Sequence, residues 1–152
     1  MDQMSAAAPS FEDVVARQNF TLAIPAGIAA ALIGAALWAM VTVVTHMKIG
    51  LAAIAIGYVV GQAIKAVGHG IDKRFGVLGA ICALLGCVLG NAFSGLAFFA
   101  DARHLDFGQL LAVTSPDLVV RLMVAFASPM DLLFYGIAIY EGYRFSFKYR
   151  RV

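Results

Sequence analysis

Apolar and polar positions fall in long blocks along this chain. Four apolar blocks, at about residues 22–44, 49–67, 76–100 and 129–147, are separated by polar interruptions. The first carries no charge. Its ~23 residues at ~1.5 Å rise exceed the ~30 Å hydrocarbon core of a bilayer. Pro25 then falls in its first turn, where a missing N–H costs little. Thr45, His46, Met47 and Lys48 form so short a turn that the first two helices should be antiparallel neighbours. Residues 68–75, GHGIDKRF, read as a polar loop, since such groups do not sit unpaired in lipid. The connection at 101–128 is too polar to cross a membrane and too apolar to float free in water. Within it, Ser115, Pro116 and Asp117 signal a helix start, and Leu118, Val119, Leu122, Met123 and Phe126 follow helical spacing. An amphipathic helix lying on the membrane or folded against the bundle is expected there.

Ser128, Pro129 and Asp131 repeat the start signal before the fourth block, where only Leu132 to Tyr140 is free of charge. Glu141 and Arg144 can pair on one helix face, and Arg144 can snorkel to headgroups. The alternative is an interfacial helix over 131–147 and three spans. Ahead of the first block, Ser10 and Asp13 fit a capping box, and Phe11, Val14 and Val15 share a face. That segment suits the bilayer surface or a plain terminus.

Composition strengthens the membrane assignment. The 152 residues are 62% hydrophobic and 13% charged, against roughly 45–50% and about 25% in soluble domains. The apolar surplus must face lipid. The expected fold is all-α: a polytopic membrane protein of four transmembrane helices plus an amphipathic helix in the third connection. An amino-terminal segment (1–21) precedes the membrane domain (22–147), and a basic tail (148–152) follows. Residues 1–10 lack a positive n-region and include acidic Asp2, so the first block reads as a retained span rather than a secretory signal.

With four spans, Arg17, Lys65, Lys73, Arg74, Arg144, Lys148, Arg150 and Arg151 share one side, and Lys48, Arg103 and Arg121 the other. The positive-inside rule then puts both termini in the cytoplasm. A net charge of +2 with no basic, aromatic-interleaved run argues against nucleic acid.

Candidate chemistry is sparse. There is no H-E-x-x-H, G-x-S-x-G or phosphate-binding glycine loop. His46, His69 and His104 stand in three separate connections without ligand spacing, so no metal, cofactor or enzymatic role is expected. Cys82 and Cys87 are five apart inside an apolar block and read as small packing residues. The second helix carries the most informative pattern. Tyr58, Gln62, Lys65, His69 and Asp72 lie four, three, four and three residues apart. At ~100° per residue they stay within about 80° of one another, the last two only if the helix continues past Gly68. Such a stripe should face the bundle interior, a subunit interface or a water-filled cavity. The alternative readings are that Lys65 snorkels to the cytoplasmic interface and that His69 and Asp72 belong to a solvated loop. Gly57 and Gly61, and Gly86 and Gly90, form GxxxG pairs suited to close helix packing. Cys87, Asn91 and Ser94 share one side of the third helix, and Asp131, Tyr135 and Gly142 one side of the fourth. If these faces converge, the interior is polar and can hold an ion or small solute; otherwise Gln62, Asn91 and Ser94 are interhelical hydrogen-bonding groups.

PAGIAAALIGAALWAMVTVVT, IGYVVGQAIKAVGHGIDKRFGVLGA, LLGCVLGN and DLLFYGIAIYEGY together resemble a group of small, uncharacterised bacterial four-helix membrane proteins. Some of these carry an amino-terminal zinc ribbon, for which this chain has no cysteines before Cys82. The resemblance implies topology and transfers no activity or site residues. The expected function is a self-associating structural or accessory membrane component, a homo-oligomer or subunit of a membrane complex. The alternative is an oligomeric channel or carrier for a small ion or solute, using the polar face of the second helix. A membrane enzyme would need a converging acid, base or nucleophile, and Glu141 and His104 are dispersed.

Overall fold

The computed structural model describes residues 10–47 and 50–148. The described residues form helices and connections, with no strand among them: α1 (Phe11–Ala16), α2 (Phe20–Thr45), α3 (Leu51–Gly68), α4 (Lys73–Arg103), α5 (Phe107–Val113), α6 (Pro116–Phe126) and α7 (Pro129–Phe145). Helix α2 starts ahead of the apolar block because the Asn19 side chain accepts a hydrogen bond from the Leu22 N–H at 3.0 Å. Pro25 therefore sits in the second turn, not the first, and the Thr21 carbonyl loses its usual intrahelical donor. The polar loop is shorter than GHGIDKRF implies. Gly68 ends α3 while Lys73, Arg74 and Phe75 already belong to α4, with Phe75 buried. The 101–128 connection is more helical than its composition suggests. Helix α4 continues to Arg103, and α5 precedes the expected amphipathic α6. The signal for α5 is a capping box: the Asp106 carboxylate accepts from the Gln109 N–H at 2.8 Å while Gln109 Oε1 accepts from the Asp106 N–H at 3.1 Å.

Helices α3 and α4 form the waist of the bundle. Helix α2 packs on both from one side and α7 on both from the other, and α2 and α7 do not meet. Directions follow from the paired residues. Gly27, Ala31 and Trp38 of α2 meet Cys82, Gly86 and Gly90 of α4 in the same order, so these two run parallel. Gly50, Gly57 and Gly61 meet Phe134, Ala138 and Phe145 in order, so α3 and α7 also run parallel. Gly76 and Gly79 meet Phe147 and Gly142 in reverse order, so α7 opposes α4. The four helices thus alternate up and down. Helices α5 and α6 touch only α4, where Gly95 faces Leu122 and Phe98 stacks on Phe126 at 5.6 Å.

Side-chain size runs opposite to that of a soluble core. The interior is built largely from Ala, Gly and Cys, including Ala23, Ala30, Ala53, Gly79, Cys82 and Cys87. Large apolar residues such as Leu37, Met40, Val59, Ile81, Leu85 and Leu132 point outward. In water that surface would be a liability; in lipid it is the solvated face, and small residues inside let backbones approach. Helices α2, α3 and α4 are each long and apolar enough to cross a membrane. Helices α5 and α6 qualify as a further, broken span only if counted together, and their axes bend by 102°. Helix α7 has 17 residues, about 25 Å of rise. Three helices, or up to four, of this length and apolarity suit a multi-pass membrane protein.

One end of the bundle gathers both flanks of the described chain. The Asn19 N–H donates to the Gly68 carbonyl at 2.9 Å, and the Lys148 N–H to the Gly70 carbonyl at 3.0 Å. The Ile71 N–H donates to Gln18 Oε1 at 3.1 Å. The segment entering α2 and the segment leaving α7 are therefore both tied to the 68–71 turn. Arg17, Lys65, Lys73, Arg74, Arg144 and Lys148 lie in or beside these segments. Lys48, Arg150 and Arg151 fall outside the described residues.

Candidate functional site

Helix α3 presents its polar stripe sideways rather than into the bundle. Tyr58 is 48% exposed, with its ring edge-on to Phe145 at 5.2 Å between centroids. Gln62 and Lys65 are half-buried beside it. Gly57 and Gly61 lie on the adjoining face against α7: an added Cβ at Gly57 would strike the Ala138 carbonyl, and one at Gly61 would meet Phe145 Cβ at 2.8 Å. The stripe ends at Lys65. His69 takes a left-handed conformation at φ 48°, closes α3 as its C-cap, and sets its Nδ1 3.2 Å from the Val67 carbonyl. Asp72 is exposed at the start of α4. His69 and Asp72 therefore do not continue the α3 face, because the reversal at 69–72 breaks the 100° repeat.

The buried polar groups lie elsewhere. Ser94 donates to the Gly90 carbonyl at 2.7 Å and reaches Thr42 of α2 at 3.5 Å. Cys87 points at the Ala53 carbonyl of α3 at 3.9 Å. Gly86 faces Ile56 and Ala31, and Gly90 faces the Trp38 ring. Cys87, Asn91 and Ser94 thus share a helix side yet turn toward different neighbours. They do not join Tyr58, Gln62 and Lys65 in one polar interior.

Where α7 begins, four polar side chains meet at one cavity. Asn91, Ser128, Asp131 and Tyr135 line about 360 Å³ of space together with Ala127, Pro129 and Leu132. Asn91 is 4% exposed, and its Oδ1 finds no hydrogen-bond partner among the described residues. Asp131 is 7% exposed, and one carboxylate oxygen accepts from the Ser128 N–H at 2.8 Å in a capping box. The Tyr135 hydroxyl donates to the Cys87 carbonyl at 3.4 Å and interacts with Asn91 and Asp131. The sequence placed Asp131 and Tyr135 on one helix side. It carried no signal that Asn91 of α4 would face them, since that depends on the antiparallel register of α4 and α7.

Other chemistry-bearing residues are kept apart. His46, His69 and His104 each occupy the left-handed C-cap position of a long helix, with φ of 52°, 48° and 53°. Among the described residues no three His, Cys, Asp or Glu side chains come together as a metal site. Arg144 lies over the Tyr140 and Phe145 rings and donates to the Tyr140 hydroxyl at 3.4 Å, turning away from the pairing with Glu141 that the sequence allows. On the exposed α1 cap, hydrogen bonds from the Ser10 hydroxyl and backbone N–H hold Asp13 below the usual carboxylate range. Comparison with family models, curated proteins and solved structures finds no match to this chain.

Proposed function

We propose that the protein is a non-enzymatic, self-associating component of a bacterial inner membrane, with α2, α3, α4 and α7 crossing the bilayer and both flanks of the bundle cytoplasmic. The fourth crossing is supported by the parallel course of α7 along α3, from Gly50 to Gly61, through the same depth of bundle. The shared end is supported by the hydrogen bonds from Asn19 and Lys148 to the 68–70 carbonyls. The cations clustered there fit a cytoplasmic face.

Tyr58 carries the proposal of self-association. It lies ten residues from the end of α3, about 15 Å of rise, and so near mid-membrane. Yet it is 48% exposed. A hydroxyl facing hydrocarbon there, with Gln62 a turn away, is costly unless another helix covers it. A second copy presenting the same face would supply matching hydrogen-bonding groups. Each such interaction in a membrane is worth about 0.6–2 kcal/mol.

Mass measurement in mild detergent or nanodiscs tests this. The wild-type chain should form a defined oligomer. Gln62→Leu and Tyr58→Phe should each weaken association roughly 3- to 30-fold. A strictly monomeric wild-type protein would sink the proposal. An oligomer built on this face would also bring several Gln62 and Lys65 side chains together, the arrangement a channel or carrier needs. Ion or solute flux in proteoliposomes that is lost with Gln62→Leu and Lys65→Met would favour transport over a purely structural role.

A further inference from the structure

Helices α2 and α4 leave a groove between them at the end of the bundle where both flanks of the chain are gathered. Its walls are Phe20 of α2 and Arg74, Val77, Leu78 and Ile81 of α4, around about 330 Å³ of space. The Phe20 ring is set edge-on against the buried Phe75 at 5.2 Å, which fixes one wall. Val77 and Ile81 are both more than half exposed. From Arg74 to Ile81 the helix rises about 10 Å, two-thirds of the ~15 Å of hydrocarbon in one leaflet. The groove is apolar along its length and cationic at its mouth. Arg74 and Lys73 are exposed in the first turn of α4, and among the described residues no carboxylate forms an ion pair with either. Asp72 is exposed ahead of them and makes no cap hydrogen bond. The first N–H groups of α4 therefore add partial positive charge at the same level. Arg17 stands nearby, because Gln18 and Asn19 are hydrogen-bonded to the 68–71 turn, but it is partly balanced by Asp13.

We propose that this groove binds one anionic glycerophospholipid of the surrounding leaflet, its phosphate on Arg74 with Lys73 beside it, and one acyl chain along Val77, Leu78 and Ile81. A guanidinium presents a planar fork that takes a phosphate through two parallel hydrogen bonds. A zwitterionic lipid carries its own ammonium group, which Lys73 and Arg74 would repel. A wholly apolar occupant would leave Arg74 without an anion, and a free phosphate would leave the apolar wall uncovered. The cytoplasmic leaflet, where the proposed topology puts this end, carries negative surface charge. The site rests on that placement in a bilayer, and it holds whether or not the chain self-associates.

Native mass spectrometry of the full chain in detergent, titrated with phosphatidylglycerol or phosphatidylcholine of matched acyl chains, counts the lipids bound per chain. One phosphatidylglycerol per chain should bind about 5- to 25-fold tighter than phosphatidylcholine, at about 5-fold for each of one or two cations. Arg74→Gln should remove about 5-fold of that preference. Arg144→Gln, on α7 across the bundle from α2, should leave it unchanged. Glycerophosphoglycerol, the same headgroup without chains, should not displace the lipid at equal concentration. Equal affinity for the two lipids would overturn the proposal. So would equal losses from Arg74→Gln and Arg144→Gln, the mark of diffuse attraction to the whole cationic end. Displacement by glycerophosphoglycerol would reduce the site to a phosphate contact and overturn the groove. A fall in oligomer mass on Arg74→Gln with lipid binding intact would assign the groove to a second copy instead. A monomeric chain that binds one phosphatidylglycerol through Arg74 would sink self-association and leave this site standing.

Discussion

Three histidines occupy backbone positions that glycine or asparagine normally fill. His46, His69 and His104 end α2, α3 and α4 with positive φ. A non-glycine residue in this conformation costs about 1–2 kcal/mol, though histidine tolerates it better than most. Glycine would relieve that strain and lose about 0.5–1 kcal/mol to unfolded-chain entropy. His69→Gly should therefore leave stability unchanged or raise it by up to about 1 kcal/mol, without altering oligomer mass. Chemical denaturation in detergent measures this. A loss of association on His69→Gly would show that its ring does more than cap α3. In the sequence these residues appear only as three histidines in three connections. That each sits one position past a helix was legible once the helix ends were known.

At the scale of elements, helix contact is set by glycine placement more than by hydrophobic patterning. Helices α4 and α7 meet where Gly79 faces Gly142, and a Cβ added at Gly79 would lie within the Gly142 backbone and the Ser146 hydroxyl. Gly136, on the same α7, has nothing within 4 Å of such a Cβ. Gly79→Ala should force the helices apart and destabilise by about 1–3 kcal/mol. Gly136→Ala should stabilise by up to about 1 kcal/mol through helix propensity. Melting of the two variants side by side checks both signs; equal effects would mean that α7 does not dock on α4 as described. None of this contrast can be read from the chain, where both are glycines in an apolar block. The same limit applies to the α3 stripe. Its period was legible through Lys65, but whether it faced inward depended on where α7 docks. Helix α5 was missed because a seven-residue helix offers too few turns for a periodic signal, leaving only the Asp106 and Gln109 capping pair to mark it.

At the scale of the molecule, the proposed topology makes a direct prediction. In intact cells, Asp72→Cys and Lys148→Cys should be labelled from the cytoplasmic side only, and Arg103→Cys from the opposite side only. The native Cys82 and Cys87 are buried in the bundle and should stay unreactive. Positions 72 and 148 labelling from opposite sides would mean that α7 does not cross, and would return the chain to three spans.

The sequence by itself determined that this is an all-helical chain with helices suited to a membrane. Block length and the surplus of apolar residues are local properties, and they survive whatever the helices pack against. It also determined the helix starts at Ser10, Ser115 and Ser128, because a cap needs only the next three residues. Only the tertiary structure decided which faces are inside. Tyr58 and Gln62 turn outward because α7 covers the neighbouring glycine face of α3, and Asn91 meets Asp131 and Tyr135 because α7 runs antiparallel to α4. Those placements depend on register between helices distant in sequence, and in lipid no hydrophobic gradient marks in advance which side of a helix will be covered.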